Sequence, residues 1–179
     1  MAQPNIEPWL SGSHSAIYPF LRPLLFSLEQ AQQDLRHWTL GLSDEQVWAQ
    51  PLGLAPLGFQ LRHIAGSVDR LFTYVEGGQL NEIQMAFLRS EMNPGASLNE
   101  LLDEIDVVFG RVAQKVELLD PSTMADNRGV GRKQLPTTVI GLLVHIAEHT
   151  QRHVGQAILT AKVLNAIGSA SSSSQLSSH

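Results

Sequence analysis

Apolar residues recur at intervals of three and four through four stretches of this 179-residue chain, and no stretch alternates at a period of two. That spacing gathers them on one side of a helix and would scatter them across both faces of a strand. The first stretch carries Leu21, Leu24, Leu25, Leu28, Leu35 and Trp38. Its helical pattern begins around Ser13, and Pro23 marks either a later start or a kink. The second runs from about Leu57 to Glu76, where Gly77-Gly78 closes it, with Leu61, Ile64, Ala65, Val68, Leu71, Phe72 and Val75 on its stripe. Ser97 with Glu100 forms a capping box that opens the third, which carries Leu98, Leu101, Leu102, Ile105, Val108, Phe109, Val112 and Val116. The fourth is capped by Thr137 or Thr138 and runs to about Ala166. One of its stripes is Ile140, Leu143, Val144, Ala147, Val154, Ile158 and Ala161; the other is Leu142, Ile146, His149, His153, Ala157 and Leu164. Apolar residues on both sides predict a helix buried over most of its circumference. Short helices are expected after Ser43, which pairs with Gln46 as a cap, and within Leu80 to Glu91. Four long helices and two short ones make an all-α four-helix bundle.

A chain of this length is expected to be one domain with a real core. Residues 1–12, with Pro4, Pro8 and Gly12, form an irregular lead-in; residues 13–167 form the bundle; residues 168–179 are Ser-rich and expected to be disordered. The connection from Asp120 to Pro136 reads as a long loop holding Arg128, Arg132 and Lys133. A net charge of -5 with no Lys/Arg block argues against nucleic acid and against a membrane surface. No run approaches the ~20 apolar residues of a membrane span, and Met1 to Pro8 lacks the pattern of a signal peptide. A cytoplasmic location is expected. There are no cysteines, which removes disulfides, thiolate ligands and a cysteine nucleophile together.

Three of the seven histidines, His145, His149 and His153, recur four apart in the last helical stretch. Four residues are about 6 Å of rise and about 40° of rotation, so neighbours in this series can reach one metal ion. On a helical wheel His153 lies about 15° from the centre of the second apolar stripe, His149 about 55° and His145 about 95°. His149 and His153 therefore point inward and His145 flanks them. Two inward imidazoles need hydrogen bonds or a metal, because unpaired buried polar groups are costly. His63 lies off the apolar stripe of its own helix, in a file with Phe59, Ser67, Arg70 and Tyr74 that suits a cleft. It joins the pair only if the two helix faces meet. A zinc-protease helix would need Glu directly after its first His, and di-iron bundles need two Glu-x-x-His copies; neither pattern is present.

The segment His149-x-x-x-His153-x-Gly155-Gln156 resembles the final motif of the DinB-like (DinB/YfiT) superfamily. Gly58-Phe59-Gln60-Leu61-Arg62-His63-Ile64 and Leu135-Pro136-Thr137-Thr138 resemble two further segments of it, and the likeness spans roughly residues 14–166. The resemblance implies a bundle of up-down-down-up connectivity. It implies a divalent metal, nickel or zinc, held by His63, His149 and His153, with His145 outside the triad. It implies thiol-dependent metalloenzymes, among them S-transferases and isomerases. Members often carry Arg after the last ligand, where this chain has Val154.

The expected activity is that of a metal-dependent transferase using a low-molecular-weight thiol as cosubstrate, or of a hydrolase. The alternative is a non-catalytic metal-binding or stress-associated bundle. Three neutral imidazoles leave an ion at +2 with an open position, the pattern of a catalytic site. Arg70, Tyr74, Arg128, Arg132 and Lys133 are candidates to hold an anionic part of a small-molecule substrate. A homodimer is plausible.

Overall fold

A computed structural model of the chain describes residues 6–176, with side chains to residue 169. Six helices follow in order: α1 (Arg22–Thr39), α2 (Asp44–Trp48), α3 (Leu57–Val75), α4 (Glu82–Ser90), α5 (Leu98–Glu117) and α6 (Val139–Leu176). Between α5 and α6 lies one hairpin, β1 (Asn127–Val130) with β2 (Leu135–Thr138). Short 3-10 turns sit at Pro8–Leu10, Pro51–Gly53 and Pro121–Thr123.

The helices begin and end where local chemistry satisfies their free backbone groups. Ser43 and Gln46, Asn81 and Gln84, and Ser97 and Glu100 form reciprocal capping boxes at α2, α4 and α5. Thr138 Oγ1 accepts from the Gly141 amide at the start of α6. At the end of α3, Gly77 takes φ +77°, and the Gly77 and Gly78 amides turn back to the Tyr74 and Thr73 carbonyls. A side chain at Gly77 would strain that left-handed turn.

Contacts α1–α5, α5–α3, α3–α6 and α6–α1 close a ring of the four long helices. Its interior is filled by the predicted stripes: Leu25, Leu28 and Leu35 from α1, Leu61, Ile64 and Val68 from α3, Leu101, Ile105 and Val112 from α5, Ile146, Val154 and Ala161 from α6. Each buried Leu, Ile or Val among them contributes about 1.5–3 kcal/mol through removal from water. Among the described residues no helix is long and apolar enough to cross a membrane.

Four expectations need correction. The first long helix starts at Arg22, not near Ser13; residues 13–21 are turns, and Pro23 falls in the first helical turn, where its missing N–H costs nothing. The connection after α5 contains an antiparallel hairpin, with Asn127 opposite Thr138 and Val130 opposite Leu135. Arg128 Nε ties it to the Val75 carbonyl at the end of α3, 2.8 Å away. Helix α6 does not stop near Ala166: its backbone stays helical through the serines to Leu176. Val144, placed on an apolar stripe, is 59% exposed, because α6 is covered on two sides by α1 and α3 and open on a third. Of the expected lead-in and tail, residues 1–5 and 177–179 lie outside the described residues.

Candidate metal centre

His63 stands in the second turn of α3, and His149 and His153 stand one turn apart in the N-terminal half of α6. The two helices pack directly against each other, so the faces that carry these residues meet. One ring nitrogen from each histidine lies within 4.8 Å of the others. Ring centroids are 4.3 Å apart for His63 and His153, 4.6 Å for His149 and His153, and 5.3 Å for His63 and His149. At these separations the rings leave no room for another side chain between them.

The surroundings fix which nitrogen of two rings faces inward. His63 Nδ1 donates to Glu91 Oε2 at 2.8 Å, and His153 Nδ1 donates to Gln60 Oε1 at 2.8 Å. An N–H on Nδ1 leaves a lone pair on Nε2. His63 Nε2 and His149 Nε2 then stand 3.1 Å apart. Two imidazole nitrogens each bound about 2.0–2.1 Å from one ion, near tetrahedral angle, have about this separation. The Nδ1 of His149 is buried with no partner among the described residues. The donor set therefore fits a divalent cation bound through Nε2 atoms.

Electrostatics favour the neutral form of His149 and His153. Burial, then the charges of His63 and His149, push the His153 pKa down to about 4. Burial and the charges of His63 and His145 lower that of His149. A neutral imidazole is the form that binds metal. Glu91 is pulled the other way: burial would raise its pKa, but the His63 hydrogen bond and the Arg70 charge override it and hold the carboxyl below its ordinary value. Its Oε1 lies 2.8 Å from Arg70 Nη1, and both side chains are almost wholly buried. The close approach depends on Gly66, where a Cβ would come within 2.6 Å of Arg70 Nη1 and 2.8 Å of Glu91 Oε1.

The segment Gly58 to His63 now has a physical reading. Gly58 lies against the Trp48 ring, where a Cβ would approach to 2.7 Å. Phe59 stacks on His63 at 5.5 Å and 26°. Gln60 holds His153, Arg62 lies over Trp48 at 4.9 Å, and His63 faces the pair on α6. Gly155 and Gln156, which completed the other motif, are exposed.

Of the remaining predicted residues, His145 sits beside the cluster: its ring centroid is 5.3 Å from that of His149, it is half exposed, and its Nδ1 bonds Glu148 at 2.7 Å. Arg70 is buried against Glu91, one residue removed from His63. Tyr74 is buried in the core. Arg128 is held by Val75, which is 12 residues, or about 18 Å of helix rise, from His63. Arg132 and Lys133 are exposed in the hairpin turn. The structure thus brings His63, His149, His153 and His145 together and sets the three hairpin cations apart. Glu91 and Gln60 were missed by sequence reasoning. Gln60 carried a signal, lying inside the His63 motif three residues before that histidine; Glu91 carried none.

Comparison with curated proteins gives no match. A family model described as the DinB superfamily matches residues 27–157, a span holding all three converging histidines, Gln60 and Glu91. The chain therefore belongs to the DinB superfamily.

Proposed function

We propose that this chain is a divalent-metal-dependent enzyme whose metal, nickel or zinc, is held by His63, His149 and His153. The observation that carries this reading is the convergence of three imidazoles, two of them oriented by Gln60 and Glu91. We take the fold to be a four-helix bundle of up-down-down-up connectivity. A divalent cation held by these three imidazoles would supply Lewis-acid chemistry, lowering the pKa of a thiol or water brought to it. Transfer of a low-molecular-weight thiol to an electrophile is the reaction we favour.

The protein's own groups have distinct parts in this reading. Glu91 and Gln60 fix two rings with their lone pairs inward. Arg70 keeps Glu91 ionised and in place rather than touching substrate. Phe59 shields one face of His63 from water. His145, bonded through Nδ1 to Glu148, offers Nε2 as a proton acceptor at the exposed side. Arg132 and Lys133 remain available to an anionic group of a substrate long enough to reach the hairpin.

The test begins with metal content. Purified protein should carry about one nickel or zinc ion per chain, and His63→Ala, His149→Ala and His153→Ala should each lose it while His145→Ala keeps it. Loaded protein is then assayed with glutathione, bacillithiol and mycothiol against a chloronitroaromatic electrophile. Turnover with a thiol that disappears in the triad variants supports the enzyme. Stoichiometric metal without turnover favours a metal-binding bundle that is not a catalyst. Loss of metal in His145→Ala alone overturns the ligand set.

A further inference from the structure

A cleft of about 530 Å³ opens between α3, α4 and α5, and none of the three converging histidines lines it. Its floor is apolar, formed by Ala65 and Val108, and its rim carries Phe87 with the exposed side chains of Ile83 and Val107. Apolar side chains of that size left open to water at a concave surface are the usual lining of a small-molecule site.

The charges in the cleft do not cancel. Four carboxylates line it, from Asp69, Glu100, Asp103 and Glu104, against two cations, Arg70 and Arg111. Both cations are engaged: Arg70 with the buried Glu91, Arg111 with Asp69. Asp69 also accepts from Gln84, and Glu100 is turned to its capping role at Ser97. Asp103 also lacks a partner among the described residues but is exposed. Glu104 is different: it is half-buried and has no hydrogen bond or ion pair among the described residues. Arg62, the cation whose charge bears on it, is held by the Ser90 and Asn93 carbonyls and by the Trp48 ring. Burial pushes the Glu104 pKa up despite that pull. A carboxylate taken partly out of water without a partner is destabilised, and a cation placed against it relieves that cost.

We propose that this cleft binds a small organic amine with an apolar body, the body against Phe87, Val107 and Val108 and the ammonium against Glu104. None of its residues is a proposed metal ligand, and Glu104 and Val107, which the test alters, have no contact with the histidines; Arg70, on the cleft wall, is the one lining residue that also holds Glu91.

The proposal is tested with three probes of one shape: 4-phenylbutylamine, 4-phenylbutanol and 4-phenylbutyrate. Each is titrated into the full chain by calorimetry and located by NMR shifts of the Ile83, Val107 and Val108 methyls. The amine should bind about tenfold or more tighter than the alcohol, and the butyrate more weakly still. Glu104→Gln should bring the amine down to the level of the alcohol. Val107→Lys, at an exposed position, should weaken the amine more than the alcohol without altering the fold. Equal binding of the three probes, insensitivity of the amine to both substitutions, or shifts centred away from α4 and α5 would each overturn the assignment.

Discussion

Glu91 shows how much of the candidate site rests on groups that are not ligands. Its two oxygens reach in different directions, one to His63 Nδ1 and one to the Arg70 guanidinium. Glu91→Gln keeps the volume but removes the charge that orients His63 and leaves Arg70 buried without a counter-ion. Metal affinity should fall about 10–100-fold, as for other partners of ligating histidines. Stability should fall by roughly 3 kcal/mol, because breaking a buried pair strands the remaining charge. A competition titration with a chromogenic chelator and a denaturant melt measure the two effects separately. Unchanged affinity would remove Glu91 from the account of the site. Gln60→Ala should weaken metal binding within the same range while costing less stability, since no buried charge is left behind.

At the scale of elements, the caps offer the cleanest test of what sets the helix boundaries. Ser97→Ala removes the acceptor for the Glu100 amide at the start of α5 and should cost about 1 kcal/mol. A lowered midpoint with an unchanged denaturant slope is the expected melt; no shift would mean that packing alone fixes that end. These boundaries were legible because capping is local: Ser43, Ser97 and the Gly77-Gly78 stop act within a few residues of themselves. The stripes on α3 and α5 were legible for a similar reason, since one helical period decides which side is buried. The hairpin was not. Each strand has four residues, too few for alternation to register, and Gly129 and Pro136 are poor strand formers. Arg128 holds it in place through Val75, a contact 53 residues away in sequence. The start of α1 was misplaced because Pro23 has one meaning in a helix interior and another in the first turn. His149 and His153 could be ranked by wheel geometry, but their meeting with His63 depends on α3 packing against α6. Family resemblance supplied that link before the coordinates did. Glu91 stayed invisible because it lies beyond the last turn of α4 and enters the site only through tertiary contact.

Across the whole molecule, protonation couples the site to stability. His149 and His153 titrate below their ordinary value in the folded metal-free protein, His153 at about 4. The unfolded chain therefore binds more protons as pH falls below about 6.5, and the folded state loses stability over that range. For His153 the loss develops between about pH 6.5 and about pH 4, and above that window the two rings contribute no pH dependence. Melts of metal-free protein from pH 8 to pH 4 should show a midpoint flat at the high end and falling below about 6.5. His153→Ala should flatten part of that fall; an unchanged profile would mean that the ring is solvated. Metal loading should raise the midpoint near neutral pH, since a ligand bound only by the folded state stabilises it by mass action. That gain should vanish on acidification, as protons displace the ion from the imidazoles.

Helices α3 and α6 together bring three imidazole nitrogens within 4.8 Å of one another. The measurement that tests it most directly is an anomalous-scattering map from a crystal of metal-loaded protein, collected on both sides of the nickel or zinc edge. One peak is expected, about 2.0–2.1 Å from the Nε2 atoms of His63, His149 and His153, with Glu91 and Gln60 on the outer nitrogens of the first and last. A peak bound elsewhere, or an ion on His149 and His153 with His63 turned away, would contradict it.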